Sequence, residues 1–121
     1  MFVRGIRGAI TVDNDTVDDI KNATIELFGE IVKQNDIRIE DISHVLFTMT
    51  KDLKSAFPAK FVRENFDAQF LPMMCVNELD IESSLKKCIR VLVVVNTNKK
   101  QNEIVPIYLK GAKVLRPDLA K

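Results

Sequence analysis

Arg90 lies in Cys88-Ile89-Arg90-Val91-Leu92-Val93-Val94-Val95, a run whose other members are those of a fully buried strand. A guanidinium in such a run must be met by an anion, because a lone buried charge is rarely tolerated. Arg7, within Arg4-Gly5-Ile6-Arg7-Gly8-Ala9, sets the same condition in a second strand-like segment. Two strand-borne arginines in one small chain point to a site for a small polyanion, with Glu78 a candidate orienting partner. The competing reading is structural: each arginine pairs with a carboxylate at a sheet edge or subunit interface.

Other chemistries fit the sequence less well. A Ser-His-Asp arrangement would have to use His44, the single histidine, which sits at a strand entrance among apolar neighbours. A cysteine nucleophile would lack a histidine base, so Cys75 reads as a packed thiol or weak donor. Neither Cys75 nor Cys88 belongs to a CxxC pair, and no cysteine–histidine metal set can be assembled. Arg4-Gly5-Ile6-Arg7-Gly8 has no trailing Gly-Lys-Ser/Thr and is not a phosphate cradle. Asp80 and Glu82 read as parts of a solvated turn rather than hard-metal ligands. The remaining inventory is cationic: Arg7, Lys60, Arg63, Arg90 and Arg116, together with Tyr108 and Glu78. It can hold carboxylates and stabilise developing negative charge. It suits a reaction that needs only positioning and electrostatics.

The elements that must position these residues can be read from the pattern. Residues 2–12 alternate as a strand, with Phe2, Ile6, Ile10 and Val12 on one face and Gly5, Arg7, Ala9 and Thr11 on the other. Asn14-Asp15-Thr16 caps a helix whose stripe is Ile20, Ala23, Leu27, Phe28 and Ile31, ending at Gln34-Asn35-Asp36. One helical turn over 39–43 precedes a strand over 45–50, and Pro58 opens a helix running to about Phe66. Further strands are predicted over 70–76, where Pro72 restricts the strand to an edge or bulge, over 89–96, and over 104–109. Residues 81–87 read as a turn or short helix, and the chain beyond Gly111 as an extended tail to Arg116-Pro117.

The result is an α/β (α+β) domain with a mixed five-stranded sheet, one long helix and one shorter helix. Two helices cannot cover both faces of five strands. The face carrying Arg7, for which Arg90 is also a candidate, is therefore expected to pack against other subunits.

At 121 residues the chain fits a single domain, 1–121, with one core. The net charge of +1 supplies no drive toward nucleic acid or membrane. The longest apolar run is strand-sized. Met1-Phe2-Val3-Arg4 opens directly into a strand pattern and not a signal peptide. A cytoplasmic protein with free thiols is expected.

Four segments then become specific together: Arg4-Gly5-Ile6-Arg7-Gly8-Ala9, Phe57-Pro58-Ala59-Lys60, Lys86-Lys87-Cys88-Ile89-Arg90-Val91 and Val114-Leu115-Arg116-Pro117-Asp118-Leu119. In this order the chain resembles the monofunctional α/β chorismate mutases, a homotrimeric family unrelated in fold to the all-helical ones. The resemblance implies a trimer whose sheets form a pseudo-barrel, with sites in clefts between subunits. It implies the cofactor-free and metal-free [3,3]-sigmatropic conversion of chorismate to prephenate, in the biosynthesis of phenylalanine and tyrosine. It further implies that Arg90 faces the ether oxygen and that Arg7 and Tyr108 hold the side-chain carboxylate. Glu78 would orient Arg90 and accept from the ring hydroxyl, assisted by the Cys75 region. Phe57 and Leu115 would wall the pocket, while Lys60, Arg63 and Arg116 attract the dianion. Met74 departs from the small polar residue common in that family, which leaves a backbone contact at its position. Any lid beyond Asp118 is expected to be short.

Two other readings stand beside this one. A trimeric imine deaminase would also set an interfacial arginine against a carboxylate, but its Gly-Pro-Tyr-Ser segment is missing. A non-catalytic trimeric sensor of a carboxylate or phosphate metabolite would differ only in Arg90 with Glu78 and in turnover.

Overall fold

The computed structural model describes residues 1–119. Its elements run β1 (Phe2–Thr11), α1 (Val17–Asn35), β2 (Ile42–Met49), α2 (Pro58–Asn65), β3 (Met73–Asn77), β4 (Cys88–Thr97) and β5 (Ile107–Leu109). The sheet has five strands in the order β3-β2-β4-β1-β5. β4 lies antiparallel between β1 and β2, and the two edges are closed by parallel pairings, β3 on β2 and β5 on β1. No described helix is long and apolar enough to cross a membrane.

Local chemistry sets the helix ends. The Thr16 hydroxyl accepts the Asp19 amide, with Asp18 and Asp19 in the first turn where the helix dipole favours carboxylates. Asp36 closes α1 in the left-handed region at φ 49°. Pro58 occupies the first turn of α2, where its missing N–H costs no bond. α1 packs on β1 and β5, α2 packs on α1 and β3, and Phe28 meets Phe66 edge to face at 4.9 Å. The core between this helix layer and the sheet holds Ile6, Ile10, Leu27, Phe28, Ile31, Phe47 and Val93, all fully buried.

One buried polar group has a positional task. The Asn35 amide donates to the Val105 carbonyl at 2.9 Å and accepts the Val105 N–H at 2.8 Å. This two-way bond ties the end of α1 to the segment leading into β5.

The structure corrects several sequence readings. β4 is not buried on both faces: Ile89, Val91, Val93 and Val95 enter the core while Arg90, Leu92 and Asn96 are exposed on the other side. β2 begins at Ile42, because a 3-10 turn over Ile39–Asp41 delivers the chain early. β3 starts only after Pro72, which has no N–H to offer the ladder, and it forms an edge as expected. β5 shrinks to three residues behind Pro106. Of the two forms expected over 81–87 the turn is the one present, at residues 82–83. The expected extended tail is instead a 3-10 helix, Lys110–Leu115. Of the segment beyond Asp118, residues 120–121 lie outside the described residues.

Gly8 reports how tightly the helix layer sits on the sheet. A Cβ built there would lie 2.8 Å from Ile31 Cδ1, 3.0 Å from Val91 Cγ1 and 3.1 Å from Leu27 Cδ1. Gly8→Ala should therefore lower stability by about 1–3 kcal/mol, read as a lower denaturation midpoint in urea with an unchanged slope.

Candidate active site

The sheet face opposite α1 and α2 carries the site, and strand register builds it. Thr48 on β2 pairs with Arg90 on β4, Arg90 with Ala9 on β1, and Ala9 with Tyr108 on β5. A second row runs Met74, Leu46, Leu92, Arg7 through the same strands from β3 to β1. Side chains in these rows share one face because alternate residues do so in every strand. They enclose a cavity of about 550 Å³ in which Arg7, Arg90, Tyr108, Leu115 and Arg116 meet the apolar surfaces of Leu46, Val76 and Leu92. The small Ala9 between Arg90 and Tyr108 leaves room for a ligand.

Glu78 stands just beyond the end of β3. Its side chain is only 17% exposed, whereas that of Arg90 is 46% exposed. Glu78 Oε1 lies 3.4 Å from Arg90 Nε and accepts the Thr48 hydroxyl at 2.6 Å. The expected Arg90–Glu78 pairing is thus present within one chain. It is partly solvated, and Arg90 is not the desolvated guanidinium that the apolar run suggested.

Arg116 binds Asp118 through two bonds, of 3.1 and 2.9 Å. That fork holds the Asp118 carboxyl below the usual carboxylate range, chiefly through the hydrogen bond from Arg116. The charged residues that line the cavity, Arg7, Arg90 and Arg116, are all cations, which favours an anion. Glu78 itself lines a smaller hollow of about 340 Å³, where the carboxylates Asp52, Glu78, Asp80 and Glu82 outnumber Lys51 and Lys86, a poor match for an anion.

Not every expected residue reaches this cavity. Phe57 is exposed at the head of α2, with Lys60 and Arg63 exposed along that helix. α2 packs at the β3 side of the sheet, the edge opposite β5 and Tyr108. Met74 is 63% exposed on the open face at the same edge. Cys75 pairs in register with Phe47 and packs against the main core, so its thiol faces the helix layer. Any contact by the Cys75 region on the open face falls to its backbone. The sequence-based candidates therefore divide into a group on β1, β4 and β5, joined by Glu78, and a second group at the β3 edge and on α2.

Sequence reasoning missed three residues that hold this arrangement. Besides Thr48, the Asp52 carboxylate takes the Lys87 N–H with both oxygens at 3.0 Å and accepts the Thr50 hydroxyl at 2.5 Å. Thr50 Oγ1 in turn accepts the Cys88 N–H at 3.0 Å. These bonds pin the start of β4 two residues ahead of Arg90. The one sequence signal was the pair Thr48 and Thr50 at the end of the strand predicted over 45–50, with Asp52 just past it.

The two cysteines sit on opposite sides of the sheet and both are free. Burial raises the Cys88 thiol to about 11, the nearby Arg90 charge offsetting only part of the desolvation. Cys88 should resist alkylation at pH 8 in the native protein and react fully in denaturant, as peptide mass spectrometry would report. Rapid native labelling of Cys88 would contradict its burial against Ala9, Tyr108 and Ala112.

Comparison with known proteins adds an independent line. The chorismate mutase type I family model matches residues 3–119. The chain is 44% identical over 120 residues to a chorismate mutase (AroH) of Bacillus subtilis strain 168, covering 99% of this chain and 94% of the relative. A chorismate mutase (AroH) of Thermus thermophilus is 43% identical over 119 residues, with 98% and 97% covered. Among solved structures, a chorismate mutase of Clostridium thermocellum superposes with a TM-score of 0.88 at 45% identity, covering 91% of this chain and 97% of that one.

Proposed function

The chain belongs to the chorismate mutase type I family, and from that premise we propose that it rearranges chorismate to prephenate as a single-domain isomerase of aromatic amino acid biosynthesis. The observation that carries the reading is the strand-borne Arg90, which lines one cavity with Arg7 and Tyr108 and is paired with Glu78. The rearrangement breaks a C–O bond and forms a C–C bond within one molecule, and no proton is transferred. An active site for it needs shape and a cation at the breaking ether bond, not an acid–base pair. This residue inventory meets that need.

In the proposed complex Arg90 donates to the ether oxygen, where negative charge grows. A preorganised donor at such an atom is typically worth ~2.7–4 kcal/mol. Arg7 and Tyr108 hold the side-chain carboxylate. Glu78 orients Arg90 and accepts from the ring hydroxyl. Fixing the flexible enolpyruvyl arm in a chair adds an entropic contribution. Leu115 walls the cavity and Arg116, once released by Asp118, covers its mouth.

Phe57, Lys60, Arg63 and the backbone about Met74 and Cys75 would be supplied by a neighbouring subunit. Two facts support this assignment. The cavity reaches from the central strand β4 to the β5 edge, whereas this second group lies at the opposite, β3 edge and on α2. The sheet face opposite α1 and α2 exposes Val3, Met74, Val76 and Leu92, a surface that association would cover. A head-to-tail contact between opposite edges closes into a ring when its rotation allows, and a homotrimer is the ring proposed. The cytoplasm is the proposed compartment, where Cys75 and Cys88 would stay reduced.

Loss of chorismate absorbance on adding purified protein tests the reading directly. Arg90→Ala should lower kcat by about 100- to 1,000-fold in a folded protein. Arg90→Lys should also be poor, since an ammonium cannot reproduce the planar fork. Near-normal rates in folded Arg90→Ala would return that residue to a structural pair. With no proton in flight, kcat should be nearly flat from about pH 6 to 9, indifferent to chelators and to solvent deuterium. A bell-shaped profile with a large solvent isotope effect would exclude a pericyclic step. Sedimentation should give a trimer at micromolar concentration; an active monomer would refute the shared site.

A further inference from the structure

Glu78 is a mostly buried carboxylate on a loop, and its two contacts are unequal. The Thr48 hydroxyl reaches Oε1 at 2.6 Å, whereas Arg90 Nε is 3.4 Å from the same oxygen. A charge-assisted N–H···O bond is normally about 2.7–2.9 Å, so Thr48 and not Arg90 is the tighter partner. Thr48 is itself well anchored, one residue before the end of β2 and paired on both sides, with Val76 on β3 and directly opposite Arg90 on β4. We infer that Thr48 is a positioning residue: its hydroxyl fixes the Glu78 carboxylate so that it touches Arg90 through Nε and leaves the terminal nitrogens of Arg90 free for substrate.

The alternative geometry shows why this matters. A carboxylate released from Thr48 can rotate into a two-bond fork with the guanidinium, the arrangement that Arg116 and Asp118 already adopt in this chain. Such a fork would engage the donors that the ether oxygen requires, and would oppose the charge that stabilises the transition state. Substrate binding through Arg7 and Tyr108 would be little affected. Loss of the Thr48 hydroxyl should therefore appear in kcat more than in KM.

The inference rests on the function proposed above, and the test separates the two. Thr48→Val keeps the β-branched shape and removes the donor; Thr48→Ser keeps the donor. Each is measured on the full-length chain with chorismate, alone and combined with Glu78→Ala, beside melting temperature and oligomeric state. Thr48→Val should lower kcat about tenfold, the equivalent of one hydrogen bond to a charged group, while Thr48→Ser recovers most of that loss. In the Glu78→Ala background Thr48→Val should cost nothing more, because the hydroxyl acts through Glu78. Should valine disturb β2, Thr48→Ala makes the same comparison.

An unchanged kcat in Thr48→Val, or losses that simply add in the double variant, overturns the positioning role while leaving the mutase reading intact. A wild-type protein that does not consume chorismate overturns both.

Discussion

β4 is the central strand, and its register binds stability and chemistry to one alternation. The odd residues Ile89, Val91, Val93 and Val95 complete the core, so Arg90 and Leu92 must project to the opposite face. A slip of one residue would drive a guanidinium into the helix layer and four aliphatic side chains into solvent, a change no compensation nearby could absorb. The core therefore fixes where Arg90 points. The neighbouring strands inherit that precision, because Thr48, Ala9 and Tyr108 occupy the same row by pairing outward from Arg90.

The acidic member of the site has no such frame of its own. Glu78 begins a loop that runs to Lys87 without regular structure, and such a segment gives up conformational freedom only to specific bonds. Side chains of β2 and the turn after it supply them at both ends. Thr48 holds Glu78, Asp52 grips the Lys87 amide, and Thr50 takes the amide of Cys88. Lys87 sits in the left-handed region at φ 47°, uncommon for a residue with a side chain. The double acceptance of its N–H by Asp52 accounts for its holding that conformation. Site geometry is thus set by β2 as much as by the strands bearing the charges.

This division explains what the sequence disclosed. α1 was legible to its ends because its signals are local: the Thr16 cap, the apolar stripe, the polar stop. β4 was legible as a strand but not in its burial. Val, Leu and Ile on both faces look the same whether the second face meets helices or remains open. Arg90 and Arg7 stood out because a charge among aliphatic residues demands a reason. Thr48, Thr50 and Asp52 did not, since their partners lie 30 to 38 residues away and nothing in a short polar stretch announces a distant bond. The 3-10 tail and the face of Cys75 were likewise settled by packing against neighbours, which no local pattern encodes.

The exposure of Arg90 finally bears on why a shared site would be necessary and not merely convenient. With its side chain 46% exposed, its field in a lone chain is screened by water. Unit charges 4 Å apart interact by about 1 kcal/mol in water and about 4 kcal/mol at an effective dielectric of 20. The same guanidinium therefore acts far more strongly on a developing oxyanion once the open sheet face is covered. Leu46, Val76 and Leu92 around the cavity provide an apolar rim that a neighbouring subunit can seal. On the proposed reading, association supplies the missing wall residues and also the low-dielectric surroundings in which one arginine suffices. The apolar surface left uncovered in the single chain then belongs to catalysis as much as to assembly.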